Sequence, residues 1–315
     1  MDHAAPALRR LDRLIWGIVA AVAGIVLVAP LVSQFRIAWP TFVPAALACA
    51  ALTAGGCFYS RWRREPRLAS GLVCTAQVIA FAAVGAPLSY LAASVNAPLY
   101  DHALDLVDRA FGLDWKALLI WMNASPATYA LLRPIYLSLT LQMTTVALCL
   151  AFSGRLVWLR VYTLAFVYAV LICIAVSAVL PAAGAWPYYG LSASESHIVP
   201  AVSTSWPVFH GLRDGTFRVL IAVGSEGIIT FPSLHAALAV IVVAALWPIA
   251  MLRWVFLALN AAMLAATPID GSHYFIDVLA GIGLATLSLL LAHATAARAA
   301  SHAVPHAREL AHGAG

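Results

Sequence analysis

Eight continuous apolar runs divide this chain, at roughly 14–34, 38–60, 68–94, 127–152, 158–181, 233–250, 252–268 and 273–297. No other feature restricts the fold as much. A helix needs about 20 apolar residues to cross the hydrocarbon core of a bilayer. Most of the runs reach that length; the seventh is short and carries Asn260. Because the runs are continuous and do not alternate, a transmembrane β-barrel is excluded. Composition agrees: 63% of the 315 residues are hydrophobic and 10% are charged, where soluble domains carry about 25% charged residues. The expected architecture is all-α, a polytopic membrane bundle of about eight transmembrane helices. Residues 1–67 form an N-terminal hairpin, 68–297 a six-helix membrane domain, and 298–315 a disordered tail containing His302, His306 and His312.

The basic residues orient the bundle. The net charge of +5 is almost all arginine, since Lys116 is the only lysine. Arg9, Arg10 and Arg13 precede the first run, and Arg61, Arg63, Arg64 and Arg67 link the second to the third. Arg155 and Arg160 flank the link from fourth to fifth, Arg253 lies between sixth and seventh, and Arg298 and Arg308 follow the eighth. With eight spans the positive-inside rule puts all five positions on the cytoplasmic side, with both termini there. The charge is therefore a topology signal and implies no nucleic-acid partner. The protein is expected to be multi-pass in a cell membrane, of the bacterial inner-membrane type or another. No cleavable signal is evident. Cys49, Cys57, Cys74, Cys149 and Cys173 all lie inside apolar runs, without CxxC or metal-ligand spacing, and read as small core residues.

Two long segments then face outward. In 95–126, Leu99, Leu104, Val107 and Phe111 share one helical face and Asp101, Asp105 and Asp108 another. That pattern predicts an amphipathic interfacial helix with a solvated acidic face, followed by Trp115 and Trp121 as belt residues. The second segment, 182–231, is too long for an ordinary connection and predicts a binding loop or cap. Its Trp186, Tyr188, Tyr189, Trp206 and Phe209 would exclude water on closing; His197 and His210 read as plain loop residues.

Ionisable groups converge on the same side. His235 stands just inside the sixth run, and His273 opens the eighth. Asp277, four residues after His273, shares its face on a helix. A carboxylate so placed accepts the imidazole Nδ1–H and leaves Nε2 as nucleophile or base. Pro232 suits the first turn of a helix. That turn's free N–H groups, with Ser233 Oγ, form an anion site, and Arg213 and Arg218 in the preceding loop supply guanidinium clamps for phosphate. His273 can attack phosphorus while His235 protonates the departing oxygen. This scheme calls for no metal and no other cofactor, and no carboxylate cluster is present to hold a metal. Gln77 and Gln142 read as interhelical hydrogen-bond partners, Asp270 as a cap or turn residue, and Arg133 as snorkelling to the interface.

Phe-Pro-Ser-Leu-His at 231–235 and His-Tyr-Phe-Ile-Asp-Val at 273–278 resemble the second and third motifs of the type 2 phosphatidic acid phosphatase superfamily. More closely they resemble its branch related to the inositol phosphorylceramide synthases. The superfamily motifs read K-x6-R-P, P-S-G-H and S-R-x5-H-x3-D. The resemblance spans roughly 68–297 and implies a phosphohistidine on His273, relayed by Asp277, with His235 as acid. Leu234 replaces the glycine of the second motif, and Ala266-Thr267 replace the Ser-Arg of the third. Arg133-Pro134 has the dipeptide of the first motif, but Pro126 stands where its lysine belongs, so that match reads as coincidence. The resemblance implies a lipid substrate in the bilayer and phosphoryl transfer to water or to another hydroxyl; the sequence leaves that choice open, along with the oligomeric state. The rival is a non-catalytic transporter or anion-binding membrane protein. Its expected repeats and broken midplane helices are not seen in the sequence.

Overall fold

The computed structural model describes residues 5–31, 33, 36–192, 196–222 and 227–301. The tail histidines 302, 306 and 312 lie outside that set. The described residues form an all-α bundle, whose only strands are two-residue β1 (Arg36–Ile37) and β2 (Val219–Leu220), paired in parallel. The transmembrane candidates are α1 (Ala5–Val28), α2 (Val43–Arg61), α3 (Pro66–Ser94), α8 (Leu156–Val179), α12 (Ala250–Asp270) and α13 (Phe275–Ser301). Between them lie α4 (Asp101–Ala110), α5 (Trp115–Asn123), α6 (Pro126–Leu137), α7 (Leu139–Phe152), α9 (Ala185–Tyr188), α10 (Trp206–Asp214) and α11 (Leu234–Leu246).

Each of the eight apolar runs carries helix, but they are not eight uniform spans. Among the described residues six helices are long and apolar enough to cross a membrane, or seven if the bent pair α6–α7 counts as one. The bend is 48°. Its cause is Pro134, which removes a backbone donor and crowds the preceding turn. At the bend Ser138 Oγ donates to the Ile135 carbonyl at 2.6 Å, and a polar chain continues from it: Gln142 Nε2 donates to Ser138 Oγ at 2.9 Å, and Asn260 Nδ2 to Gln142 Oε1 at 2.8 Å. The sixth run yields only the 13 residues of α11. At 1.5 Å per residue that is about 20 Å, short of the ~30 Å hydrocarbon core. The irregular stretch before it, 227–233, therefore lies within the bundle. Such backbone is tolerated at depth where it lines a cavity, as Gly227, Ile228, Ile229 and Thr230 do.

The core runs through α1, α3, α7, α8, α11 and α13. One face of α1 is fully inside, with Leu11, Ile15, Val19, Val22 and Val26 buried. The same helix carries Asp12, whose carboxylate pairs with Arg160 of α8 at 3.0 Å and accepts from Gln77 Nε2 of α3 at 3.3 Å. In a low-dielectric bundle, leaving either charge unpaired is costly, so this trio fixes α1 to the core. By contrast α2 packs chiefly on α3 and is largely exposed.

Contacts between connections sort them to two ends. Arg155 Nη2 donates to the Pro248 carbonyl, and the Arg67 guanidinium lies against Gly154, so three of the arginine-bearing links share one end. At the other, Tyr100 N bonds Pro181 O, Arg36 N bonds Arg218 O, and Trp115 Nε1 donates to Pro268 O at 2.9 Å. This grouping is the one that alternating spans require.

Candidate active site

His273 does not sit on a helix, as its spacing from Asp277 predicts. The chain leaves α12 at Asp270, and Ser272 takes a left-handed φ of 54°. α13 begins only at Phe275. Asp277 in its first turn reaches back to accept the Tyr274 N–H at 2.9 Å, a capping contact. The same Oδ2 meets His273 Nδ1 at 3.2 Å. The expected His–Asp pair thus forms, through helix capping. His273 is 3% exposed and Asp277 fully buried.

On its other edge, His273 Nε2 lies 3.2 Å from Ser233 Oγ. Ser233 is the N-cap of α11 and accepts the Ala236 N–H at 3.3 Å. With Asp277 taking the Nδ1 proton, the serine hydroxyl donates to Nε2. Burial pushes the His273 imidazole down to about 4, against a smaller opposing effect of the Thr230 carbonyl. The ring is therefore neutral, the nucleophilic form, at ordinary pH.

Two close approaches hold this geometry. A Cβ on Gly271 would lie 2.3 Å from His273 Cδ2, and one on Gly281 would lie 2.4 Å from the Ser233 carbonyl. Only glycine lets α13 pack so closely on the start of α11.

His235, in the first turn of α11, opens onto the same cavity of ≈ 440 Å³ as His273. Its ring stacks on Tyr136 of α6, with centroids 4.3 Å apart and planes 11° apart. The far wall is apolar: Phe81, Ala82, Gly85 and Ala86 of α3 face Phe166, Val170 and Ile174 of α8. Trp206 and Phe209 of the long outer segment close another side. That segment is partly ordered into α9, α10 and β2, and His210 stands on α10, not in a loop. Trp186 stacks on Trp206 and is buried beside Trp115. Trp115 is thus a packed residue, not a membrane-belt residue; its indole finds a carbonyl partner inside the protein.

The amphipathic helix expected near 101 exists as α4, but it is turned the other way. Asp101, Asp105 and Asp108 are buried, while Leu99, Val107 and Phe111 of the expected apolar face are exposed and its Leu104 is buried. The carboxylates face inward because orphan backbone donors wait there. Asp101 accepts from Ala183 N and Gly184 N at 2.9 and 2.8 Å, and from Tyr274 Oη at 3.1 Å. Asp108 accepts from Phe275 N and Ile276 N at 2.7 and 2.8 Å, the open N-terminus of α13. Burial raises the Asp108 carboxyl, and those two N–H groups oppose the rise. Asp105 binds Arg109 and the Tyr189 hydroxyl. The spacing of these acids was visible in the sequence, but nothing local marked their partners.

The arginines lie around the cavity and do not line it. Arg213 Nη2 donates to the Ala97 carbonyl at 2.7 Å, and its guanidinium lies over Phe209. Its Nη1 is buried without a partner. Arg218 is exposed beside β2. Arg133 pairs with Asp270 at 3.3 Å and donates to Val199 O at 2.9 Å, so it ties α6 to the segment leading into His273. Asp270 closes α12 as an ion-pair partner, not a helix N-cap.

No curated protein and no solved structure matches the chain. A family model does, that of the PAP2 superfamily, over residues 102–291. That stretch runs from α4 into α13 and holds Ser233, His235, His273 and Asp277, so the chain belongs to the PAP2 superfamily.

Proposed function

We propose that this protein is a membrane-embedded phosphoryl-transfer enzyme acting on an amphiphilic phosphate or phospholipid through a phosphohistidine on His273. One observation carries the reading: His273 is held by Asp277 at Nδ1 and by Ser233 at Nε2, on the wall of a cavity shared with His235. The apolar wall between α3 and α8 suits a hydrocarbon tail, and the polar end suits a phosphate.

The geometry supports a specific step. Ser233 Oγ stays fixed as the α11 cap, but its hydrogen can rotate from Nε2 onto a phosphoryl oxygen. The freed Nε2 lone pair forms the N–P bond as the P–O bond to the leaving group breaks. His235 gives its proton to the departing oxygen and can then draw one from water or an acceptor hydroxyl. The water-excluding wall of Trp206 and Phe209 favours an acceptor hydroxyl. Two guanidiniums stand one residue behind the wall and are the proposed clamps: Arg213 behind Phe209, and Arg133 behind Gly271 through Asp270. Arg218 would have to cross from β2.

A Ser–His–Asp hydrolase is a second reading, favoured by the chain of contacts from Ser233 through His273 to Asp277. The two differ in their nucleophile. Purified protein should be given a panel of phospholipids and lipid phosphates, with released phosphate and transferred head group both measured. His273→Ala is expected to abolish turnover, whereas Ser233→Ala should retain phosphoenzyme and lose about tenfold through the missing hydrogen bond. Full activity in His273→Ala would end the phosphohistidine scheme. A fluorophosphonate adduct on Ser233 would establish the hydrolase instead.

A further inference from the structure

His235 is the least anchored member of the site. His273 is gripped at both nitrogens, but among the described residues neither ring nitrogen of His235 has a hydrogen-bond partner. Its ring is nonetheless defined, because one face lies flat on Tyr136 at 4.3 Å. Tyr136 is 2% exposed and lies in the last turn of α6, beside the bend at Ser138. Its hydroxyl is buried without a partner, so the aromatic face is what the phenol offers its neighbour. A buried hydroxyl without a partner costs stability, so phenylalanine would suit the packing better than tyrosine does. The contact with His235 is therefore the ring's role.

We infer that Tyr136 is a positioning residue: its ring fixes the plane of His235 so that a proton reaches the leaving oxygen. This rests on the phosphohistidine reading. In the first step, His273 Nε2 bonds phosphorus, the leaving oxygen takes the electron pair of the P–O bond, and His235 supplies that oxygen's proton. A wandering His235 impairs only the proton delivery. The loss must then depend on how much the leaving group needs a proton. Lipid alkoxides need one; p-nitrophenolate does not.

The test compares Tyr136→Leu and Tyr136→Phe in the full-length purified protein. The two substrates are the best phospholipid of the panel and octyl p-nitrophenyl phosphate. Tyr136→Leu should lose about tenfold to 100-fold in kcat on the phospholipid, the range of a misdirected general acid, with KM unchanged and the nitrophenyl ester turned over within about threefold of wild type. Tyr136→Phe keeps the stack and should restore phospholipid turnover. Equal losses on both substrates, undiminished phospholipid turnover in Tyr136→Leu, or failure of phenylalanine to restore it would overturn the inference. Wild-type protein inactive on both substrates, or active without His273, would overturn the proposed function and this inference with it. His273-dependent activity indifferent to Tyr136→Leu sinks this inference alone.

Discussion

Gly271 shows how little room the site allows a single atom. Its φ is −89°, so no backbone strain demands glycine there. The demand is spatial: the added methyl would meet His273 Cδ2 at 2.3 Å and the Thr267 carbonyl at 2.7 Å. Moving the imidazole relieves only the first contact, so the Thr267 carbonyl has to shift as well. A displacement of about 1 Å in a reacting group costs on the order of 100-fold in rate. Gly271→Ala is thus expected to lose turnover by at least that order while destabilising the fold by only about 1–3 kcal/mol. Kinetics beside a thermal melt in detergent would separate the two, and wild-type kcat in the variant would show that His273 tolerates the move. The neutral state of His273 follows from its burial, and its orientation from Asp277.

Among the elements, α4 has the least expected role. It places Asp108 over the N-terminus of α13, where two backbone N–H groups have no intrahelical partner. The carboxylate there answers both the orphan donors and the helix dipole. The next residue in that turn is Asp277. Asp108→Ala should therefore loosen the turn that orients His273. It leaves two donors without their charged acceptor, which costs about 2–4 kcal/mol. A fall in thermal midpoint with a larger fall in kcat is the expected result; an unchanged midpoint would mean water replaces the carboxylate at no cost. The α13–α11 contact at Gly281 is the other fixed point, because it sets the distance between Ser233 and His273.

For the whole molecule, the question is which end faces which compartment. Positive-inside reasoning puts Arg155 on the cytoplasmic side and Lys116 opposite. Both residues are exposed, at opposite ends of the bundle. Single cysteines at these two positions should be labelled by an impermeant thiol reagent from opposite sides of the membrane, Lys116→Cys in intact cells and Arg155→Cys only after opening them. The five native cysteines, all partly or fully buried, serve as the background. Labelling of both from one side would contradict the span count; reversed labelling would move the active site to the cytoplasmic face.

What the sequence determined by itself was one-dimensional information. Apolar run length predicted the helical segments, arginine position predicted which links share an end, and local spacing joined His273 to Asp277. The order Ser233, His235, His273, Asp277 carried the family resemblance. Tertiary structure decided whatever depends on side-chain direction across long separations. Ser233 meets His273 across 40 residues, and Asp101 meets Tyr274 across 173. The acidic face of α4 turned inward because Asp101 and Asp108 take backbone N–H groups of distant segments, which leave no trace in residue type, while Asp105 takes the side chains of Arg109 and Tyr189. Tyr136 on His235 and Arg133 on Asp270 are side-chain pairs that only the packing of distant helices brings together. Hydrophobic patterning says which segments enter the membrane; only packing says which polar groups find each other inside it.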